Sequence, residues 1–310
     1  MDRFQSMVTF VRVVESGSFS AAARALGVGQ PAVSKAVAIL EDRLGVRLLV
    51  RSTRQLRPTV AGQAFYERAL RVLYEADEAE SAARGLGAGL EGRLRVCVPV
   101  TFARLIVVPR LGSFLEEHPK LHLELVMDDR NVDLIEEHID VALRLGNMKD
   151  SSLTARKIME GERLIVASTD YLAQRGVPKT PADLAAHEVI VYTQAVGGDE
   201  WLMRKGTAVS SVHISGRLAF SAAEGVREAT LAGLGLAIVS RWMMAAELTA
   251  GRVVPVLTDW SLPSIDLWAV FPSGRLSSAK ARAFIDWFER NYSNSSPRTF
   301  ERQFTSFSFM

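Results

Sequence analysis

FSAAARALGVGQPAVSKAVA, residues 19 to 38, sets two short helical patterns on either side of Gly27-Val28-Gly29, the pattern of a helix-turn-helix. The demands of that motif are met one by one. Small Ala23 lets the helices approach, Gly27 supplies the positive φ of the tight turn, and Leu26, Val28 and Val33 are sized to fill the wedge. Ser18 or Ser20 can cap the first helix, and Gln30-Pro31 suits the start of the second, where proline loses no needed donor. That second helix is predicted from about Pro31 to Leu40. Upstream, Phe4, Met7, Val8, Val11 and Val14 fall at three- and four-residue spacing and predict a first amphipathic helix that Gly17 ends.

Facing away from the wedge are Gln30, Pro31, Ser34, Lys35 and Ala38, the positions of a helix that looks into a major groove. Downstream, LGVRLLVRSTRQLRPT reads as a short β-hairpin wing, with Arg51, Ser52, Thr53, Arg54 and Arg57 offering donors to phosphates or the minor groove. Charge agrees. Nine Lys/Arg against four Asp/Glu through Pro58 give this segment +5, and the chain total of +2 leaves −3 for the rest. A basic head on a slightly acidic body points to a polyanionic partner. The bland alternative is a helical hairpin with a solvated basic face.

Over residues 1 to about 90, and plainly in the stretch from Ser16 to Ala69, the sequence resembles the DNA-binding domain of the LysR-type regulators. The resemblance is carried by Ala22-Ala23, Leu26, Gln30-Pro31-Ala32-Val33-Ser34, Leu40-Glu41, Leu44-Gly45, Leu48-Leu49, Arg51, Thr53-Arg54, Thr59 and Gly62. Gly29 departs from it, standing where many relatives carry Ser or Thr. The resemblance implies a winged helix-turn-helix over 1–58, a linker helix and hinge over 59–91, and a two-subdomain, periplasmic-binding-protein-like α/β effector domain over 92–293. Its subdomains would be 92–162 with 267–293, and 163–266. Residues 294–310 lie beyond the family's usual last helix and are expected to be a loose tail.

Thr59 is a candidate N-cap for a helix that runs without proline to Leu86, with Phe65, Ala69, Val72, Ala76 and Ala83 on one stripe. A helix of that length spans on the order of 40 Å, and its stripe needs a partner. The same helix of a second chain is one solution, which the family resemblance supports, and the chain's own body is the other. GLGAGLEG (85–92) reads as a flexible joint. It also contains G-x-G-x-x-G, but after a helix and before a strand, the wrong order for a dinucleotide fingerprint.

Between Leu94 and Trp287 apolar strands alternate with helical patterns, which predicts largely parallel α/β sheets. Candidate strands are 94–98, 121–126, 140–143, 163–168, 189–192, 235–240 and 265–271. No catalytic motif accompanies them, the five histidines are scattered, and neither a metal nor a cofactor is expected. His118 and His122 are four apart, but Pro119 breaks a shared helical face. Cys97, the single cysteine, reads as a buried small hydrophobe. Ligands collect at the carboxyl ends of strands, where helix N-termini present N–H groups. The candidate effector residues there are Val100, Thr101, Phe102 and Arg144 on one side, and Tyr192, Thr193 and Ser221 with Glu224 on the other. Thr101 and Ser221 can equally be N-caps, and Arg144 can pair with Asp140 or Glu136. Helix N-termini favour a small carboxylate as effector, and Phe102 with Tyr192 leaves room for an aromatic one.

The sequence thus predicts a DNA-binding regulator of transcription, not an enzyme, controlled by a small molecule. By family resemblance it would be a homo-oligomer, a dimer or a dimer of dimers, that binds an imperfect inverted repeat of double-stranded DNA near a promoter and acts on RNA polymerase. A constitutive repressor whose body only oligomerises is the second reading. An enzyme or transport-type binding protein with an incidental helical head is the third. With charges at Asp2, Arg3, Arg12 and Glu15 where a signal peptide needs an apolar run, and no 18-residue apolar stretch, a cytoplasmic protein without a membrane span is expected.

Overall fold

Asp2 opens the first helix by accepting the Phe4 N–H, and α1 (Arg3–Ser16) runs to Gly17, whose φ of +60° ends it. The computed structural model describes residues 2–51, 56–84, 90–146, 148, 154–194, 200–272 and 278–292. The chain groups into two units, Met1–Ala88 and Gly89–Met310.

In the first unit, α2 (Phe19–Ala25) and α3 (Gln30–Leu44) meet at a turn where Gly27 has a φ of +66°. Ser18, rather than Ser20, caps α2 through the Ala21 N–H. The second helix begins where the sequence predicts but runs four residues farther, because Glu41 still faces inward and Gly45 is the first residue to turn left-handed. Phe10, Val13, Ala23, Val33, Val37 and Leu40 form the core of the head, with Leu26 packed at its margin. Val28 does not join them. Its N–H donates to the Ala23 carbonyl at 3.0 Å after the left-handed Gly27, and the side chain turns outward, 48% exposed.

β1 (Leu49–Arg51) and β2 (Leu56–Pro58) pair antiparallel as the wing. Thr59 then welds the wing to α4 (Val60–Arg84): its N–H donates to Leu48, its hydroxyl donates to the Arg47 carbonyl at 2.8 Å, and the same oxygen accepts the Gly62 N–H at 2.9 Å. Phe65 stands edge-on to Phe10 at 5.4 Å, and Ala69 is buried. The first turns of the apolar stripe therefore pack on the chain's own head, while Val72, farther along, is 46% exposed. The glycines 85, 87 and 89 of the expected joint, and the tail 294–310, lie outside the described residues.

In chain order the second unit contains β3 (Glu91–Val98), α5 (Val100–Phe102), α6 (Leu111–Glu117), β4 (Lys120–Met127), β5 (Val141–Leu145), β6 (Thr154–Gly161), β7 (Arg163–Ser168), α7 (Thr169–Arg175), β8 (Ile190–Tyr192), β9 (Glu200–Lys205), β10 (Ala208–His213), β11 (Leu218–Phe220), α8 (Ala223–Leu231), β12 (Ala237–Ser240), α9 (Ala245–Thr249), β13 (Val253–Val256), β14 (Ile265–Phe271) and α10 (Ala279–Tyr292). A π turn at Ala103–Val107 and a 3-10 turn at Val108–Arg110 carry α5 into α6. One sheet has the order β4-β3-β5-β14-β6 and a second β12-β7-β13, with β8 and β11 a parallel pair and β9 and β10 a hairpin.

Among the described strands, parallel pairing holds for β4-β3-β5 and β8-β11, with an isolated parallel bridge between Val189 and Leu236; β14 is antiparallel to both its neighbours, and the three-stranded sheet is antiparallel throughout. The connections explain it. One residue, Glu162, separates β6 from β7, far short of the dozen that a parallel crossover needs, so the chain passes directly from one sheet to the other. Five strands escaped the sequence reading: β6 and β13 lie at sheet edges, β6 largely exposed and without an apolar run and β13 containing Pro255, which an edge strand tolerates, while β9 and β10 form a largely exposed hairpin and β11 is three residues long. Phe102, Phe114, Phe284, Trp287 and Phe288 anchor the main core. Among the described residues no helix is long and apolar enough to cross a membrane.

The head depends on one close approach. A Cβ built on Gly62 would sit 1.9 Å from the Leu48 carbonyl oxygen, which is backbone and cannot swing aside. Gly62→Ala should destabilise the head by roughly 3 kcal/mol, read as a lower denaturant midpoint of the full-length protein; an unchanged midpoint would show that the wing is free to shift.

Candidate DNA interface and effector cleft

The face of α3 opposite Val33, Val37 and Leu40 is open to solvent at Gln30, Pro31, Lys35 and Ala38, with Ser34 half-buried. Pro31 lies in the first turn, and the N-cap, Gly29, provides no side-chain cap. Gln30 is already engaged, its carboxamide oxygen accepting the Ser20 hydroxyl at 3.0 Å. Arg51 closes β1 opposite Leu56, while Ser52, Thr53 and Arg54 lie outside the described residues.

Recognition helix and wing are joined by a residue whose role the sequence reading missed. Glu41 is 5% exposed, and its carboxylate accepts the N–H groups of Leu48 at 2.8 Å and Leu49 at 3.0 Å, and Arg47 at 3.0 Å. Burial pushes its pKa up, but the two backbone donors and Arg47 outweigh burial and hold it below the ordinary value. A buried acid eight residues before a strand is the available signal, and it becomes legible only once the strand is known to fold back.

In the second unit the strand-end residues separate into two groups. Thr101 is 1% exposed, and its hydroxyl donates to Glu224 Oε2 at 3.0 Å; Glu224 Oε1 takes the Arg104 guanidinium at 2.5 Å. The Val100 N–H donates to Asp129 Oδ1 at 2.9 Å, and the Ala223 N–H to Asp129 Oδ2 at 3.2 Å. Tyr192 lies within reach of this charge: burial first, and Asp129 second, push its hydroxyl up to about 12, so it stays a donor. These residues bring α5 and α8 together across the junction of the two sheets.

The other expected positions are engaged elsewhere. Phe102 is buried in the main core, edge-on to Trp242 at 5.1 Å. Thr193 donates both its N–H and its hydroxyl to the Phe220 carbonyl, at 2.9 and 3.3 Å, extending the β8-β11 pair. Ser221 is exposed, and the N-cap of α8 is Ala222. Arg144 pairs with neither Asp140 nor Glu136; it is half-buried and donates to the Val132 carbonyl at 2.7 Å. Strand alternation puts it with Ala142 and Cys97, on the sheet face away from Phe102. Cys97 is buried, and burial pushes its thiol up to about 11, the state of an inert hydrophobe. Among the described residues no group of three or more His, Cys, Asp or Glu is placed to hold a metal.

Asp129 was missed, although the rule that selected Val100 and Thr101 would have found it, since Asp128-Asp129-Arg130 directly follows β4. Asp128 is occupied by Arg130 at 2.7 Å, which first among several causes lowers its pKa.

Two family models match the chain. Residues 4–63 match the bacterial regulatory helix-turn-helix protein, lysR family, and residues 87–293 the LysR substrate binding domain. Among curated proteins, the HTH-type transcriptional regulator CrgA of Neisseria meningitidis serogroup C is 32% identical over 94% of this chain and 97% of its own, and the regulator PtxR of Pseudomonas aeruginosa is 34% identical over 90% of each. Among solved structures, CrgA of Neisseria meningitidis, a LysR-type transcriptional regulator, aligns with a TM-score of 0.61 at 32% identity over 93% of this chain and 98% of that one. The full-length Vibrio cholerae virulence activator AphB aligns with a TM-score of 0.59 at 30% identity over 94% and 99%.

The Glu41 tie gives a signed pH dependence. With its folded pKa lowered, the stabilisation it provides is complete above the ordinary carboxylate pKa and is lost as pH falls through the folded value. Glu41→Gln should cost about 2 kcal/mol at pH 7, and the gap to wild type should close in melts taken below about pH 4. A gap that stays constant into acid would refute the charged role.

Proposed function

The chain belongs to the LysR family of DNA-binding transcriptional regulators, and from that premise we propose that it reads an imperfect inverted repeat beside a promoter and alters its grip when a small molecule enters the junction between its two sheets. The observation that carries the DNA reading is the split face of α3, with Val33, Val37 and Leu40 in the core and Gln30, Pro31 and Lys35 turned to solvent. Gln30, with its carboxamide nitrogen, Ser34 and Lys35 would face base edges and Pro31 would fix the helix start. Arg51, Thr53 and Arg54 would grip flanking phosphates. An inverted repeat calls for two heads, so the active species is a homo-oligomer, a dimer or a dimer of dimers, working in the cytoplasm on RNA polymerase.

The effector residues of this reading are Val100, Thr101 and Tyr192, with the exposed Ser221 before α8; Phe102, Thr193 and Arg144, engaged in the core, in strand pairing and on the other sheet face, are left out of it. The case for an acidic effector is weakened here, because the helix N-termini that argued for a carboxylate already donate to Asp129. The same bridging favours a second reading, a constitutive repressor whose body only oligomerises. A small molecule that shifts the protein's stability or footprint excludes it.

Recovery of genomic fragments bound by the protein tests the main reading, which requires enrichment of one inverted repeat; fragments without a common sequence would sink it. On the best fragment, Lys35→Ala should lose about tenfold in affinity and reduce the slope of log K against log salt by about 1, without a change in melting temperature. Unchanged binding would remove Lys35 from the interface.

A further inference from the structure

Gln30 is the first residue of α3 and Ser20 the second of α2, and a hydrogen bond joins their side chains: the Ser20 hydroxyl donates to the Gln30 carboxamide oxygen at 3.0 Å. A carboxamide has one accepting end and one donating end, and its hydrogen-bond network decides which points where. Two features of the head fix it. A hydroxyl in the first turn of a helix is surrounded by amide N–H groups rather than carbonyls, so its one proton needs an acceptor, and the Gln30 oxygen supplies it. The partial positive charge at both helix starts likewise draws the negative end of the amide dipole inward. Capping does not compete for this hydroxyl: Ser18 caps α2 through the Ala21 N–H, and Gly29, the N-cap of α3, has no side chain. With Ser20 half-buried and Gln30 exposed, the bonded oxygen is the inner end of the amide and the amino group the outer one.

We propose that Ser20 is a positioning residue that determines base specificity: it holds the Gln30 amide so that its amino group alone reaches the groove. Gln30 is then a pure donor, suited to the N7 and O6 acceptors of guanine or the O4 of thymine and unable to pair fully with adenine. A glutamine takes adenine in bidentate fashion by donating to N7 and accepting from the N6 amino group, and the oxygen that the second bond needs is spent on Ser20. The inference rests on the reading of Gln30 as a base contact of α3.

The experiment measures binding of full-length wild type, Ser20→Ala, Ser20→Thr and Gln30→Ala to the repeat recovered from genomic DNA. Each base pair is exchanged in turn, and each adenine is replaced by 2-aminopurine, which pairs with thymine but lacks the N6 amino group in the major groove. Loss of discrimination in Gln30→Ala marks the pair that Gln30 reads. At that pair Ser20→Ala should change the base preference by about tenfold and leave the other pairs as in wild type, while Ser20→Thr, which keeps the hydroxyl, should read as wild type. With adenine placed at that pair, 2-aminopurine should cost Ser20→Ala several-fold in affinity and cost wild type no more than Gln30→Ala. A wild-type loss with 2-aminopurine that Gln30→Ala does not share overturns the proposal, as does a Ser20→Ala variant that keeps the wild-type preferences or weakens all sequences alike. Should Ser20→Ala fail to fold, the 2-aminopurine comparison of wild type with Gln30→Ala decides alone. A protein that selects one repeat but whose preferences ignore Gln30→Ala keeps the function and loses this inference; one that selects no repeat loses both.

Discussion

A helix without a side-chain cap leaves amide donors that something else must satisfy, and in the 89–310 unit α5 and α8 meet that demand with the same group. The consequence is mechanical as well as electrostatic. Asp129 lies just after β4, where the Asp128 N–H is pinned to the Val98 carbonyl at 3.1 Å, so the bridge is anchored to the five-stranded sheet. On the far side α8 is no looser. Arg227, one turn beyond Glu224, is buried and donates to the Met243 carbonyl at 3.2 Å and to Glu228 and Glu247, which fastens α8 to the segment carrying Trp242. Trp242 in turn packs edge-on against Phe102 at the base of α5. Polar bridge and aromatic contact thus close one loop of interactions around the junction, and a change at either is felt by both sheets.

What the sequence made legible follows from how local each signal is. The helix-turn-helix was readable because its requirements lie within twenty residues: a small residue, a left-handed glycine, an apolar wedge and a proline at a helix start. Even there Val28 was misplaced, since the turn bond to Ala23 that rotates it outward cannot be seen in residue types. Gly62 and Glu41 were visible only as matches to a family pattern. Their reasons, a backbone approach to Leu48 and two amides across the wing, come from chain that folds back.

In the second unit, rules for strand ends gave Val100, Thr101, Phe102, Thr193 and Arg144 the same weight, because they fix position along a strand and not the face on which a side chain leaves it. Arg144 shows the cost of that. Paired opposite Trp268 in β14, it belongs to the layer around Cys97, a place set by sheet order rather than by its neighbours in sequence. The expectation of parallel sheets failed for a related reason. Alternating helix and strand patterns suggest crossovers, but a one-residue step from β6 to β7 leaves no room for one.

Glu41 fixes more than stability. By holding the amides at the root of β1 against the side of α3, it turns recognition helix and wing into one solid piece, much as a bridge fixes the opening of a calliper. The spacing between α3 and the root of β1 is then a constant of the head. On the proposed DNA contact, a head of fixed gauge would discriminate among sequences partly by how readily they adopt that gauge.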